Sequence, residues 1–368
     1  MSAVRPQALA ALARRYPDDY KRIYQSIKDG SPIDEVTVAE WATQWMQIRQ
    51  SRVRPGTWIS DRTSVNWIVR TIGDKPLSGL QPADLRAVYE APINVGLSTA
   101  SAERTWRIMR LLLRDAEEEG YEIPERAMRT RKRSNPVIVN RRALPLDDAK
   151  RILKVAMTRP DASRWVAALV QGTRPAEALG LRWDAIDLVQ GAMRIEWQLK
   201  PLPYKTHRDP GSGFRVPHSF EALQLTGAYH LVRPKTASGV RTVPLVPWLN
   251  TELAAWAAIA PQSPYGLVWP ADDGNPRSAA RDRADWYGIA EEAGVTVKLP
   301  DGTERRPLLY ECRHTAATLL MASGVDETTL TAIVGHSSIK STQAYLHTDE
   351  ARKRAALETV GTQLGVTL

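Results

Sequence analysis

The sequence predicts a mostly α-helical chain with a small antiparallel β-sheet, divided into two domains. Three observations carry this. Apolar residues recur at helical spacing over most of the length, alternating β patterns are confined to the stretch 193–245, and a basic, acid-free stretch separates two blocks with their own apolar periodicity. A length of 368 residues suits two domains, at most three, and 43% hydrophobic with 25% charged residues are ordinary globular values.

Residues 1–33 read as an N-terminal helical extension, with patches at Ala8–Arg15 and around Asp18–Ile27 that Asp29-Gly30-Ser31-Pro32 breaks. A helical domain follows over 34–122. Val38, Trp41, Trp45 and Ile48 fall on one helix face. Pro55 occupies a first helical position, and Trp58, Val65, Ile68, Val69 and Ile72 continue to Gly73. A further helix is expected at Pro82–Tyr89. Over 99–119, Ala102, Trp106, Met109, Leu112, Leu113 and Ala116 share one side, while Arg104, Arg107, Arg110 and Arg114 lie roughly opposite. Ile108 and Leu111 interrupt that pattern, and Gly120 is placed to end the helix.

Residues 123–145 read as a basic interdomain linker. Arg126, Arg129, Arg131, Lys132, Arg133, Arg141 and Arg142 fall within 126–142 without an acid, and Pro136 keeps the stretch extended. The second domain spans 146–368. Helices are expected at 147–157, 162–170 and 175–181, then a strand over Met193–Trp197. Residues 200–226 show no periodicity, and a hairpin is expected between Tyr229–Arg233 and Val240–Leu245. Helices return at 247–259, 277–293, 311–323, 327–334, 338–345 and 350–360. The tail offers Ala355, Ala356 and Val360 on an amphipathic helix and an apolar end at Leu364, Val366 and Leu368.

Thirty-eight arginines and 12 lysines against 41 acids give a net charge of +9. An arginine-rich surplus suits a polyanionic partner, because the planar guanidinium matches phosphate oxygens. The single cysteine, Cys312, excludes an internal disulfide framework and any multi-cysteine zinc or iron–sulfur site. No metal and no cofactor are expected. No apolar run approaches the ~20 residues of a membrane span, so no membrane partner and a cytoplasmic, nucleoid-associated location are expected.

Four segments carry candidate chemistry. Gly172-Thr173-Arg174-Pro175-Ala176-Glu177 leads to Leu181-Arg182-Trp183, Ile186 and Asp187. Pro234-Lys235-Thr236 precedes Arg241-Thr242-Val243-Pro244-Leu245. Arg313-His314-Thr315-Ala316-Ala317-Thr318 opens a helix. Gly335-His336 is followed by Thr342 and, nine residues after the histidine, Tyr345. In order and spacing over about 200 residues, these segments resemble the tyrosine recombinase (phage integrase) family. The first matches except at Gln171 and Ala185.

The resemblance implies a two-domain DNA clamp, with a helical core-binding domain over 34–122 and a mixed α/β catalytic domain over 146–368. It implies a site-specific recombinase, in its integrase form a phage or mobile-element integrase, that cuts and rejoins duplex DNA through a 3′-phosphotyrosyl intermediate. Tyr345 is then the nucleophile, Arg174 and Arg313 grip the scissile phosphate, Lys235 protonates the leaving 5′-oxygen, and His336 donates to the phosphate. Glu177 buttresses the arginines rather than reacting. Arginines are an apt choice, since a phosphodiester under attack gains negative charge. Arg104, Arg107, Arg110, Arg114, Arg131, Lys132 and Arg133 are candidate contacts to the DNA backbone. The implied partners are duplex attachment sites and a homotetramer on paired sites that exchanges C-terminal segments. An excisionase or DNA-bending protein is a candidate accessory. Residues 1–33 favour an integrase over the shorter resolvases.

The family has histidine three residues before the second arginine, where this chain has Tyr310. One helical turn keeps Tyr310 on the face of Arg313. A phenol, with an ordinary pKa near ~10 against ~6.5 for imidazole, donates a hydrogen bond but is a poor base at neutral pH. Tyr310 therefore supports one rival reading, a degenerate recombinase that binds DNA without cutting it; a resolvase or transposase is a second rival, because it shares the same active site. A metal-dependent nuclease using His207, His218 and His230 is the third rival, on irregular spacing.

Overall fold

The computed structural model describes residues 36–132, 143–206, 208–299, 302–335 and 350–365. The expected helices in 1–33 and at 338–345 lie outside these residues, as do His207, His336, Tyr345, Arg133, Arg141, Arg142, Val366 and Leu368. The chain divides into two compact units, Met1–Ile138 with Val216–His218, and Val139–Arg215 with Ser219–Leu368.

The first unit is helical: α1 (Val38–Arg52), α2 (Pro55–Ile72), α3 (Pro82–Asn94), α4 (Thr99–Glu118) and the single turn α5 (Glu125–Met128). Its sequence sets these limits locally. Thr37 and Glu40 form a reciprocal cap on α1, Pro55 opens α2, and Ser98 accepts from Ser101 N at the start of α4. The core joins Trp41, Trp45, Ile68, Leu85, Met109 and Leu112. Each buried indole finds an acceptor: Trp41 Nε1 donates to Leu112 O (2.9 Å), Trp45 Nε1 to Asp115 Oδ2 (2.6 Å) and Trp58 Nε1 to Met46 O (3.0 Å).

Three expectations change here. The helix expected at Pro82–Tyr89 continues to Asn94 through Pro92, whose ring is buried in its last turn. Ile108 does not interrupt the apolar stripe of α4; it belongs to the core, while Trp106 is only half-buried. The stretch expected to be an extended linker contains α5, because Ala127 packs into the core of this unit.

The second unit mixes helices and short strands. It contains α6 (Leu146–Ala156), α7 (Ala162–Leu169), α8 (Pro175–Leu179), β1 (Ile186–Asp187), β2 (Ala192–Ile195), β3 (Gln198–Pro201), β4 (Ala222–Thr226), β5 (Tyr229–Val232) and β6 (Arg241–Pro244). After them come α9 (Pro247–Ile259), α10 (Ala279–Glu292), β7 (Val297–Lys298), β8 (Glu304–Arg305), α11 (Glu311–Ala322), α12 (Glu327–Val334) and α13 (Glu350–Leu364). Two three-stranded antiparallel sheets have the orders β1-β2-β6 and β3-β5-β4, and β7-β8 is a small hairpin.

The expected hairpin between Tyr229–Arg233 and Val240–Leu245 is therefore not formed. β6 pairs with β2, from Ala192↔Pro244 to Ile195↔Arg241, and β5 pairs with β3 and β4. The two strands bury different surfaces. Val243 and Leu245 join Met193 and Ile195 in the main core, whereas Leu231 packs with Leu179, Leu199 and Leu267. Pro234, lacking an N–H, ends the ladder of β5 before the chain crosses over. Strand β3 at Gln198–Pro201 and β4 within 200–226 are additions to the expected strands, and β4 presents no buried alternation to read.

The tail forms the expected amphipathic helix, extended to Leu364. Ala356, Leu357, Val360 and Leu364 of α13 are buried in the core of their own unit, and Ala355 faces solvent. Arg354 reinforces this seat by donating to Leu245 O at 2.8 Å. Among the described residues, no helix is long and apolar enough to cross a membrane.

Candidate active site

The site is built where α8, β6, α11 and α12 converge. Pro175 holds Arg174 in an extended conformation just before α8, because a residue preceding proline is excluded from the helical region. Glu177, one turn on, accepts from Arg174 N (3.1 Å) and from Arg174 Nη1 (2.5 Å). Backbone and side chain of Arg174 are thus fixed by one carboxylate. Gly172 takes φ +62°, and a Cβ there would stand 2.9 Å from Val334 Cγ1, so this loop needs glycine to approach α12.

Arg313 enters from the first turn of α11 and is 1% exposed. Its Nη1 donates to Gly172 O (2.9 Å) and its Nη2 to Gly335 O (3.2 Å). Arg174 Nη2 donates to the same Gly335 carbonyl at 2.7 Å, so both guanidiniums meet on one oxygen. Gly335 ends α12 in the left-handed region, φ 68°, as the sequence anticipates; Asp326 caps the other end by accepting from Thr328 N and Thr329 N. His336 follows directly in sequence.

Arg241 is the third guanidinium, and its Nη2 donates to Glu177 Oε2 at 2.9 Å. Three positive groups thus face one carboxylate among the described residues. Burial works to raise the Glu177 pKa, but Arg241 and Arg174 outweigh it and hold the carboxyl below its ordinary value. Burial likewise opposes the charge on Arg174, yet Glu177 and Tyr310 leave its pKa raised. Arg313 has no carboxylate of its own. Burial, then repulsion from Arg174 and Arg241, push it down to about 9, and its buried Nε has no hydrogen-bond partner among the described residues. A buried guanidinium with no ion pair among the described residues is a place where an anion would be stabilised.

Tyr310 stands at the N-terminal end of α11, and its hydroxyl accepts from Arg174. Its ring meets that of His314 edge-on at 5.5 Å. The tyrosine at the family's histidine position therefore reaches the arginine cluster. Beneath it Glu311 is fully buried, accepting from Leu308 N (2.8 Å) and Arg305 Nη1 (3.0 Å). Cys312 faces the core, where burial pushes its thiol up. Lys235 lies exposed on the connection between β5 and β6.

The structure thus brings together Arg174, Glu177, Tyr310 and Arg313, while His336 and Tyr345 lie outside the described residues. The candidate DNA contacts are less uniform than their helical spacing suggests. Arg107 and Arg114 are exposed and Arg110 half-buried, but Arg104 donates to the buried Asp61 (3.1 Å), which Arg49 also holds (3.0 Å). Arg131 is exposed, and Lys132 pairs with Glu103. His230 is buried with Nδ1 beside Ala228 O, and His218 is exposed. No group of three or more metal-ligating side chains forms among the described residues. Sequence reasoning gave no role to Arg241 or to Gln171, whose buried amide donates to Pro244 O at 2.7 Å. Arg241 was visible within the motif that precedes Val243-Pro244-Leu245.

The chain is similar to known proteins over most of its length. The family model described as the phage integrase family matches residues 142–352. An integrase of Saccharopolyspora erythraea is 25% identical over 362 residues, covering 84% of this chain and 78% of the relative. Tyrosine recombinase XerC of Mesorhizobium japonicum is 27% identical over 289 residues, covering 76% and 78%. Among solved structures, the Tn1549 transposon integrase in complex with transposon right end DNA aligns with a TM-score of 0.63 at 18% identity, covering 88% of this chain and 98% of that one. A lambda integrase tetramer bound to a Holliday junction aligns with a TM-score of 0.59 at 17% identity, covering 92% and 83%. At such identities these two likenesses speak to the fold.

Proposed function

Because the chain belongs to the phage integrase family, we propose that it integrates phage or mobile-element DNA, with Tyr345 as nucleophile. Membership makes it a tyrosine-type site-specific DNA recombinase. One observation carries the catalytic assignment: three guanidiniums converge on one carboxylate, leaving Arg313 without a salt-bridge partner among the described residues.

The scissile phosphate supplies what this cluster lacks. Its nonbridging oxygens take the positions at Arg174 and Arg313 that the Gly335 carbonyl holds in the free protein. The Tyr345 phenolic oxygen releases its proton to solvent water and attacks phosphorus, a P–O bond to tyrosine forms, and the bond to the 5′-oxygen breaks. Lys235 gives that oxygen its proton, which an arginine at neutral pH does not do. The 3′-phosphotyrosyl bond conserves the energy of the broken one, so the reverse attack by a 5′-hydroxyl rejoins strands without ATP. Glu177 stays ionised and holds Arg174 in place. Tyr310 orients Arg174 by its hydrogen bond and takes no proton. Arg107, Arg110, Arg114 and the linker bases Arg131, Lys132 and Arg133 contact backbone phosphates. Four protomers assemble on paired attachment sites, as the lambda integrase tetramer bound to a Holliday junction encourages, and an excisionase or a DNA-bending protein is the candidate accessory.

A suicide DNA duplex, nicked so that the 5′ fragment diffuses away, tests this. Wild-type protein forms a covalent adduct without metal, and Tyr345→Phe forms none while binding DNA as tightly. Adduct from Tyr345→Phe would remove Tyr345 from the mechanism, and binding without adduct by wild type would favour the non-cutting reading.

A further inference from the structure

Arg241 contacts three segments that lead to the proposed reacting groups. Its side chain is 5% exposed. Nη2 donates to Glu177 Oε2 at 2.9 Å, Nε to Ile333 O at 2.8 Å and Nη1 to Gly239 O at 3.2 Å. Glu177 fixes Arg174. Ile333 lies in the last turn of α12, three residues before His336. Gly239 closes the connection that carries Lys235. Gly335 packs directly on the same group, since a Cβ there would stand 3.0 Å from Arg241 Nη1 and 2.9 Å from Ser238 O.

We propose that Arg241 is the positioning residue of this active site, a single guanidinium that sets Arg174, the end of α12 and the Lys235 connection in register. The proposal rests on the reading of Lys235 as general acid given above. Its backbone supplies the fixed origin. Arg241 opens β6 opposite Ile195 of β2, and Val243 and Ile195 anchor that pair in the core. From there the planar fork reaches a carboxylate and two carbonyls with three different nitrogens. A lysine keeps the charge but cannot present three donors in one plane, so it holds Glu177 and releases the two carbonyls. A charge needed only to neutralise Glu177 would require none of this geometry.

Two substrates separate positioning from mere stability. In one, the scissile phosphate has its ordinary bridging 5′-oxygen. In the other, sulfur replaces that oxygen, and a thiolate leaves without protonation because thiols have pKa values near ~8.5. Single-turnover rate constants at saturating protein do not depend on how much of a variant is folded. Arg241→Lys should bind duplex DNA within about twofold of wild type, because the charge is kept. It should cleave the oxygen substrate on the order of 100-fold more slowly, the cost of a misplaced catalytic group. On the sulfur substrate its deficit should shrink to about tenfold or less, because the general acid is then bypassed. Lys235→Ala is measured beside it. Sulfur rescue of Lys235→Ala without rescue of Arg241→Lys overturns the positioning role alone. No rescue of Lys235→Ala overturns the general-acid reading and the positioning role with it. Wild-type cleavage of the oxygen substrate by Arg241→Lys also overturns the proposal.

Discussion

Two buried arginine clusters lie in the same unit and have opposite electrostatic characters. In the first, Arg164 donates to both oxygens of Asp282, from Nε at 3.2 Å and Nη2 at 2.7 Å. Arg277 donates to Asp161 (2.8 Å) and Asp285 (2.6 Å), with exposed Arg281 at the rim. Every buried positive charge there has a carboxylate. Burial opposes the charge on Arg277, but Asp161 outweighs it and the pKa rises. In the second cluster Arg174, Arg241 and Arg313 share Glu177, and the pKa of Arg313 falls. Burial alone does not separate the two, since Arg164 is 0% and Arg313 1% exposed. The charge balance does: a closed set of pairs holds a fold together, and an open one holds a place for an anion.

The sharpest way to break this contrast is to replace each fully buried arginine by methionine. Arg164→Met leaves Asp282 buried with only the 3.7 Å approach of Arg277 Nε, and should cost about 3–5 kcal/mol in denaturant unfolding. Arg313→Met removes an uncompensated charge along with two hydrogen bonds to carbonyls. Its stability should change by less than about 1 kcal/mol, while suicide-substrate cleavage falls about 10²–10³-fold. If both variants lose stability alike, the distinction between the clusters fails.

A smaller effect is expected at Tyr310, which belongs to the open cluster through Arg174. Tyr310→Phe should slow single-turnover cleavage on the order of 10-fold, one hydrogen bond of about 1.4 kcal/mol, and Tyr310→His should be tolerated. A loss equal to that of Arg313→Met would make Tyr310 a proton-transfer group instead.

Much of this was legible in the sequence for physical reasons. Thr37, Pro55, Asp326 and Gly335 act within a turn of their own position, so their helix boundaries could be read locally. Arg174 and Glu177 are one turn apart, and Tyr310 and Arg313 likewise. What escaped depends on partners far along the chain. β6 joins β2 rather than β5 because the apolar side chains of each sheet choose their core, and periodicity says nothing of that choice. Arg241 meets Ile333, 92 residues on, so its motif was visible but its task was not. Arg104 looked like its neighbours until Asp61 came to rest beside it.

The contrast also has a pH form. The folded pKa of Glu177 lies below its unfolded value, so its ion pairs stabilise the protein above that unfolded value, near ~4.3, and the contribution fades as pH falls through the folded pKa. Glu177→Gln should therefore melt below wild type at pH 7, and the gap in Tm should close as pH falls below about 4. A gap independent of pH would mean that Glu177 acts there by shape alone. The smallest effect expected is that of inorganic sulfate. At about ten times its dissociation constant it should stabilise wild type by about 1.4 kcal/mol and leave Arg313→Met nearly unmoved. Equal stabilisation of both would place the anion elsewhere.

The carbonyl of Gly335 has a consequence for how substrate arrives. In the free protein this one dipole already lies between Arg174 and Arg313, on the side where a phosphate oxygen is expected. On the proposed function, an incoming phosphodiester exchanges with a peptide group, and the guanidiniums pass from a partial charge to a full one without an intervening step of bare burial. The peptide set free is the one that leads into His336. On that reading, loading the site and freeing the Gly335 carbonyl are a single exchange reaction, and DNA that fails to reach the arginines leaves that carbonyl in place.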